Sequence, residues 1–321
     1  MLRGIKIRNF RCFPKVSVPL KPLTVLIGPN DSGKSAFLSV VEHLLRATPQ
    51  FKSPDFWLHN ENNPIELTGD TDDGPIELKS VAKSQRALET ETNKQVRAKL
   101  LPVQRFQLPT TGLAMQCDGY SNKEEVELVI GENGSRIAAL LDHLLRRDRK
   151  RFFQIVDTLK NNIRGLEDIE ISTPNAHSRR VDFVTEKGFR CNADETSAGV
   201  RLLLFFVALA YHPSPPRTIL LEEPENGIHP KRLGDVVELL HAVTNGKLGG
   251  CPAQVIVTTH SPYLLDSIRE GDDQVIVFQR QSDGSRTAKP LDTERVKAFL
   301  EDFRLGEVWF NEDETGLIAK S

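Results

Sequence analysis

Residues 22 to 47, PLTVLIGPNDSGKSAFLSVVEHLLRA, run from an apolar strand-like segment through a glycine-bounded loop into a helical pattern whose Phe37, Val41, Leu44 and Leu45 share one face. The loop, Gly28 to Ser35, fits G-x-x-x-x-G-K-[ST] at every fixed position. Glycines let such a loop curl with its backbone N–H groups inward. The helix behind it adds its positive end, and the two together make a nest for the β- and γ-phosphates of a nucleotide. Lys34 supplies a mobile cation, and the hydroxyl of Ser35 can ligate Mg²⁺. A glycine-rich turn matching by chance has no reason to fall between that strand and that helix. Gly28, Pro29, Asn30, Asp31, Ser32, Gly33, Lys34, Ser35 and Ala36 are therefore the expected nucleotide-binding residues, and a triphosphate the expected ligand.

A second apolar run, TILLEE, ends in two adjacent carboxylates, Glu222 and Glu223, before the chain turns at Pro224. In phosphate-loop enzymes a carboxylate at that place holds magnesium, which assigns Glu222 to the metal beside Ser35. Glu223 then points toward the reaction, where it can orient or deprotonate the attacking water. A third run, QVIVTTHSP, ends in Thr259, His260 and Ser261, and a neutral imidazole there can hydrogen-bond the γ-phosphate. Alone, the paired acids would equally suit a solvated strand end, and a lone histidine is more often structural. Their convergence with the loop favours chemistry, with Glu223, His260 and Lys34 as the catalytic set.

The surrounding pattern predicts an α/β fold. From residue 197 helix and strand alternate through AGVRLLLFFVALAYH, TILLEE, PKRLGDVVELLHAVT and QVIVTTH, as a mostly parallel sheet flanked by helices requires. Short strands fill residues 4 to 28, and QVIVFQRQSDGSRTAKPL reads as an edge hairpin turning at Asp283-Gly284. Between them the texture changes. Two strand-like pieces in a turn-rich stretch precede a polar helix at roughly 82 to 100, a helical pair (SRIAALLDHLLRR and KRFFQIVDTLKNNI) and a small hairpin (IEIS with RRVDFVT). This predicts a nucleotide-binding core lobe of residues 1–50 and 190–321, with 51–189 as an inserted, largely helical lobe.

The totals narrow the class. With 42 Lys+Arg against 44 Asp+Glu among 321 residues, no global field advertises nucleic acid or membrane, so any such contact needs a local patch. The strongest basic run is RRDRKR, Arg146 to Arg151, which suits either phosphate backbones or a solvated helix face. The four cysteines form no CxxC pair, which fits a reducing compartment. The longest uncharged apolar run, LLLFFVALAY, is about half the ~20 residues a membrane span needs, and MLRGIKIRNF lacks a signal-peptide core. A soluble cytoplasmic protein is expected.

Three stretches, IKIRNFRCF at 5–13, EEPENGIHP at 222–230 and TTHSPYLLD at 258–266, resemble the ABC-type ATPases of the SMC, RecF and OLD (overcoming lysogenisation defect) group, the last two its OLD-like branch above all. The resemblance implies an ABC-type ATPase head that hydrolyses ATP with Mg²⁺. It places SAGVR, 197 to 201, at the ABC signature, where Ser197 and Gly199 cap the nucleotide of an opposing subunit in an ATP-dependent head-to-tail homodimer. The residues flanking Ser197 and Gly199 depart from the usual pattern, and a plain helix N-cap by Ser197 is the alternative. Glu222 stands where the wider family has Asp, and Gln104 or Gln107 is the candidate for the glutamine that reports the γ-phosphate. The expectation is a head without two features of the group, the long SMC coiled coil and, with the sequence ending soon after LGEVWFNEDETG, the TOPRIM nuclease domain of OLD proteins. The expectation is a switch subunit of a bacterial anti-phage defence or toxin-like system with a separate effector. A RecF-like DNA-binding ATPase is the alternative, and a transporter ATPase the third reading.

Overall fold

The computed structural model describes residues 1–47, 50–80, 87–88, 91–109, 113–120, 128–294, 304–309 and 317–318. The chain divides into two units. The first takes in Met1–Gln104, Pro216–Glu223 and Ala253–Ser321, the second Arg105–Pro215 and Pro224–Pro252.

Two sheets build the first unit. One is antiparallel: β1 (Leu2–Phe10), β2 (Phe13–Pro19), β4 (Glu66–Thr71), β5 (Ile76–Ser80) and β6 (Ala87–Leu88), in the order β2-β1-β4-β5-β6. From Lys15 to Pro19 along β2, Val16 and Val18 are buried while Lys15, Ser17 and Pro19 are exposed, the period-two pattern of a sheet with one wet face. The other sheet runs β15-β14-β3-β13-β12-β7, from β3 (Leu23–Ile27), β7 (Val103–Gln107), β12 (Thr218–Glu222), β13 (Gln254–Thr258), β14 (Gln274–Arg280) and β15 (Arg286–Pro290). β12, β13, β3 and β14 are parallel neighbours, and β14 with β15 forms the expected antiparallel edge hairpin. LTVLI and QVIVT are buried at every position, as central strands covered on both faces must be.

Helix α1 (Lys34–Arg46) lies directly behind β3 and buries Phe37, Leu38, Val40, Val41, Leu44 and Leu45 in one core with Leu26, Leu220, Ile256, Ile276 and Phe278. Each such side chain contributes roughly 1.5–3 kcal/mol of burial. Phe37 and Phe13 both lean on Phe278, with ring centroids 5.6 and 6.2 Å from it. The buried amide of Gln254 joins the start of β1 to β13: it accepts from Leu2 N at 2.9 Å and donates to Leu2 O at 2.8 Å and Lys21 O at 3.1 Å.

Contrary to the expectation from sequence, residues 51–104 are not part of an insert: β4 pairs antiparallel with β1 and β5 with β4. Nor does one helix fill 82–100: the described residues there hold β6, the short α2 (Glu91–Ala98) and a turn at 99–100, while 82–86 and 89–90 lie outside the described residues. The second unit is not mainly helical either. It contains a four-stranded antiparallel sheet of β8 (Gln116–Asp118), β9 (Leu166–Ser172), β10 (Ser178–Thr185) and β11 (Arg190–Asn192) with α3 (Ile137–Arg147), α4 (Arg149–Asn162), α5 (Ala198–Ala210) and α6 (Leu233–Asn245).

α5 packs against α4 and α6 and is buried on all sides from Leu202 to Ala210. Just past it lies His212, 2% exposed. Its Nδ1 accepts from Ser214 N at 3.1 Å, so Nε2 carries the proton and donates to Leu128 O at 2.9 Å. Burial lowers its pKa from 6.5 to about 4. The unfolded chain takes up a proton below 6.5 and the folded chain only near 4, so stability held above that window is lost as pH falls through it. Urea unfolding at pH 7 and pH 5 is expected to differ by about 2 kcal/mol from this group. His212→Gln should flatten the difference, and an unchanged slope in the variant would remove His212 as its source.

Candidate functional site

The parallel order β3-β13-β12 brings three strand ends level. Leu26 pairs with Thr258, and Thr258 with Glu222. Whatever follows each strand therefore emerges at one edge of the sheet, the place where open α/β sheets hold ligands.

After β3 the loop turns on two glycines that admit no side chain. Gly28 has φ 143, and a Cβ there would stand 2.4 Å from Phe278 O; Gly33 has φ 101, and a Cβ there would stand 2.8 Å from the Phe13 ring. The aromatic cluster beneath the loop thus fixes its path. α1 begins at Lys34 with Gly33 as its N-cap, so Gly33 O accepts from Phe37 N at 2.9 Å and the N–H groups of the first turn face the loop. Lys34 is 5% exposed and its Nζ donates to Gly28 O at 2.7 Å and Pro29 O at 2.9 Å, lying across the loop's mouth. Ser32, also buried, donates its N–H to Pro29 O at 3.3 Å and closes the turn.

From β12, Glu222 reaches this loop: Ser35 Oγ donates to its Oε2 at 3.0 Å. Glu223 adopts φ 43, a left-handed backbone that disfavours any residue with a Cβ and that recurs where strain serves a site. Its N–H is held by Thr258 O at 3.0 Å and Thr258 Oγ1 at 3.2 Å. This twist separates the two neighbouring carboxylates. One faces Ser35, while the other meets His260, with Nε2 and Oε1 3.2 Å apart. His260 follows Thr259, whose N–H donates to Leu26 O at 3.0 Å and whose Oγ1 accepts from Ser261 N at 2.9 Å. Sequence reasoning offered His260 to a γ-phosphate; here its ring nitrogen faces Glu223, an arrangement set by the turn at residue 223 and not by any local pattern.

Two features of this edge escaped the sequence. Arg286, on β15, binds Asp31 of the loop, and Arg11 bridges Asp55 (2.9 Å) and Ser39 (3.2 Å). Their partners lie 255, 44 and 28 positions away, beyond any motif window. An open cavity of about 600 Å³ beside Arg11 and Cys12 is walled by Phe56, Trp57 and Leu58.

Ser197 and Gly199 lie in the second unit. Ser197 is exposed and is the N-cap of α5, its Oγ accepting from Val200 N at 3.4 Å. A Cβ on Gly199 would stand 3.1 Å from Gly227 O, so this glycine also makes room for the turn after Glu223. Gln104 and Gln107 both lie on β7, half-buried and exposed in turn. In the basic run, Asp148 caps α4 and takes Arg151 Nε at 2.8 Å, Arg151 also donates to Tyr211 O and Gly249 O, and Arg146 pairs with Asp142 at 2.6 Å. Asp148 and Arg151 thus form a helix junction, while Arg146, Arg147, Arg149 and Lys150 stay exposed.

Two sequence-family profiles match the chain: one described as an AAA ATPase domain over residues 1–100, and one described as an AAA domain of AbiEii-toxin type (Type IV TA system) over residues 126–266. An OLD nuclease of Thermus scotoductus is 34% identical over 73 residues, 21% of this chain and 14% of that protein, so the chain aligns with a small part of that relative. The chain is an ATPase, similar in sequence to AAA-described domains and to a segment of an OLD nuclease. Its fold is that of SMC heads. The SmcHead bound to the C-winged helix domain of ScpA superposes with TM-score 0.62 at 13% identity, covering 92% of this chain and 99% of that one. The SMC head domain from Thermotoga maritima gives 0.53 at 14%, covering 91% and 99%. The Smc head with an extended coiled coil, bound to the C-terminal domain of ScpA derived from Pyrococcus furiosus, gives 0.56 at 13%, covering 94% and 98%. Among the described residues of this ATPase no helix is long and apolar enough to cross a membrane.

Proposed function

We propose that the ATPase reaction runs at this strand edge, with Gly28–Ala36 enclosing the triphosphate, Lys34 bound to its terminal phosphates, and Glu223 activating the attacking water. The observation that carries the reading is the divergence of two adjacent carboxylates, Glu222 to Ser35 and Glu223 to His260. Ser35 Oγ and Glu222 Oε2 are hard oxygen donors 3.0 Å apart, a pair that suits Mg²⁺ with waters and phosphate oxygens completing its shell. Bound there, the metal would offset charge on the β- and γ-phosphates. His260 Nε2, 3.2 Å from Glu223 Oε1, positions that carboxylate at the strand edge. A carboxylate held in this way can take a proton from water, worth about 10²–10⁴-fold in rate.

The ATPase acts as a head-to-tail homodimer in which Ser197 and Gly199 of one copy close over the loop of the other. The exposed start of α5, a 13-residue helix with its positive end outward, supports this. Its biological role is that of a cytoplasmic switch subunit, working with a separate effector in an anti-phage or toxin-like system. The likeness to an OLD nuclease segment and to a domain described with a toxin–antitoxin system supports that role over direct DNA binding.

Mixing two inactive variants tests the dimer. Lys34→Ala disables the loop, and Ser197→Asp keeps the helix cap while repelling phosphate. In a two-fold mixed dimer one composite site carries both lesions and the other carries neither. Partial ATPase activity should return on mixing. No recovery, with mixed dimers isolated by two affinity tags, would mean that each chain processes its nucleotide alone.

A further inference from the structure

Position 31 of the phosphate loop is an aspartate, an unfavourable occupant for a segment that must attract a triphosphate. Its backbone is left-handed at φ 60, a conformation easy for glycine and strained for a residue with a Cβ. Its side chain is 76% exposed, so burial does not hold it in place.

Arg286 does. Its guanidinium binds Asp31 twice, Nη2 to Oδ2 at 2.6 Å and Nε to the backbone carbonyl at 2.6 Å. The arginine is itself fixed. Its side chain is 8% exposed, Nη1 donates to Gly284 O in the hairpin turn, and its backbone N–H donates to Cys12 O at 2.9 Å. Arg280, at 3.8 Å from Oδ2, adds a second positive charge from the same hairpin. A planar guanidinium held at both ends fixes the direction of what it binds as well as neutralising it.

We propose that Arg286 is a positioning residue for nucleotide binding: it holds Asp31 in its left-handed conformation and cancels its charge, so that the loop offers N–H groups rather than a carboxylate to the triphosphate. Nucleotide affinity is thereby set in part by the β14–β15 hairpin, far from the loop in sequence. The inference rests on the reading that Gly28–Ser35 holds the triphosphate.

The test measures the affinity of a fluorescent ATP analogue in a cycle of variants. Arg286→Met is expected to weaken binding about tenfold or more, the scale of a lost charge-assisted contact. In an Asp31→Gly background, where neither strain nor charge needs correcting, the same substitution should change affinity less than about threefold. Asp31→Asn, which removes charge but keeps the Cβ, should fall between. Turnover at saturating ATP should stay near wild type while KM rises, whereas general misfolding would lower turnover as well. Should Arg286→Met fold poorly, Arg286→Lys, which keeps the charge and loses the fork, should still bind more weakly. Equal losses with and without the Asp31→Gly substitution, or no loss in either case, would overturn the proposal. Lys34→Ala separates the two readings. If it leaves affinity intact, the loop is not the nucleotide site; if it abolishes binding while Arg286→Met changes nothing, only the role of Arg286 falls.

Discussion

Glu223→Gln is expected to slow ATP hydrolysis by about 10²–10⁴-fold while changing nucleotide affinity only a few-fold. The amide has the shape of the carboxylate and can stay beside His260 Nε2, 3.2 Å from Oε1 in the native pair, but it cannot accept a proton from water. The backbone should not move, since φ 43 is no harder for Gln than for Glu and the N–H keeps both contacts to Thr258. Single-turnover kinetics and an equilibrium titration with the same analogue separate the two quantities. A fall in affinity that matched the fall in rate would assign Glu223 to ground-state binding and leave the base unidentified.

Lys34→Ala is expected to act at the other step, lowering affinity by about one to two orders of magnitude and removing turnover at ordinary ATP concentrations. In the folded chain Nζ lies between Gly28 O and Pro29 O, so its loss removes both the cation offered to the phosphates and an internal tie across the loop. α1 should persist, because alanine is the best helix former and the helix is held by Phe37, Val41 and Leu44 on its buried face. Circular dichroism checks the helix and isothermal titration the affinity. Retained tight binding with lost turnover would move Lys34 from binding to catalysis.

How much of this was legible in the sequence depended on how local the information is. The phosphate loop, α1, β12, β13 and the terminal hairpin are each written in fewer than about 20 consecutive residues, and parallel strands follow from apolar runs alternating with helices. Glu222 and Glu223 stand out because a charged pair ends an otherwise apolar strand. The sheet partner of β1 was not legible. β4 and β5 come after a loop, a helix and a turn-rich stretch rich in Asp and Gly, and such composition reads as an insertion. Antiparallel register across that separation has no sequence signature. The contacts that orient the site were hidden for a related reason. Glu223 meets His260 because of one unusual φ, and Asp31 meets Arg286 because two distant strands lie side by side.

The close approach of Gly227 O to Gly199 bears on how a saturation-mutagenesis screen of this ATPase should be interpreted. Intolerance at 199 would arise in part inside each chain, since any side chain there pushes on the turn that follows the two glutamates, whether or not a second copy ever arrives. Depletion of variants at 199 therefore combines the chain's own packing around residues 225–230 with any contact to a second copy. Ser197 offers the cleaner signal: aspartate and asparagine preserve its cap, so selection that tolerates asparagine but rejects aspartate would report a negatively charged neighbour supplied from outside the chain.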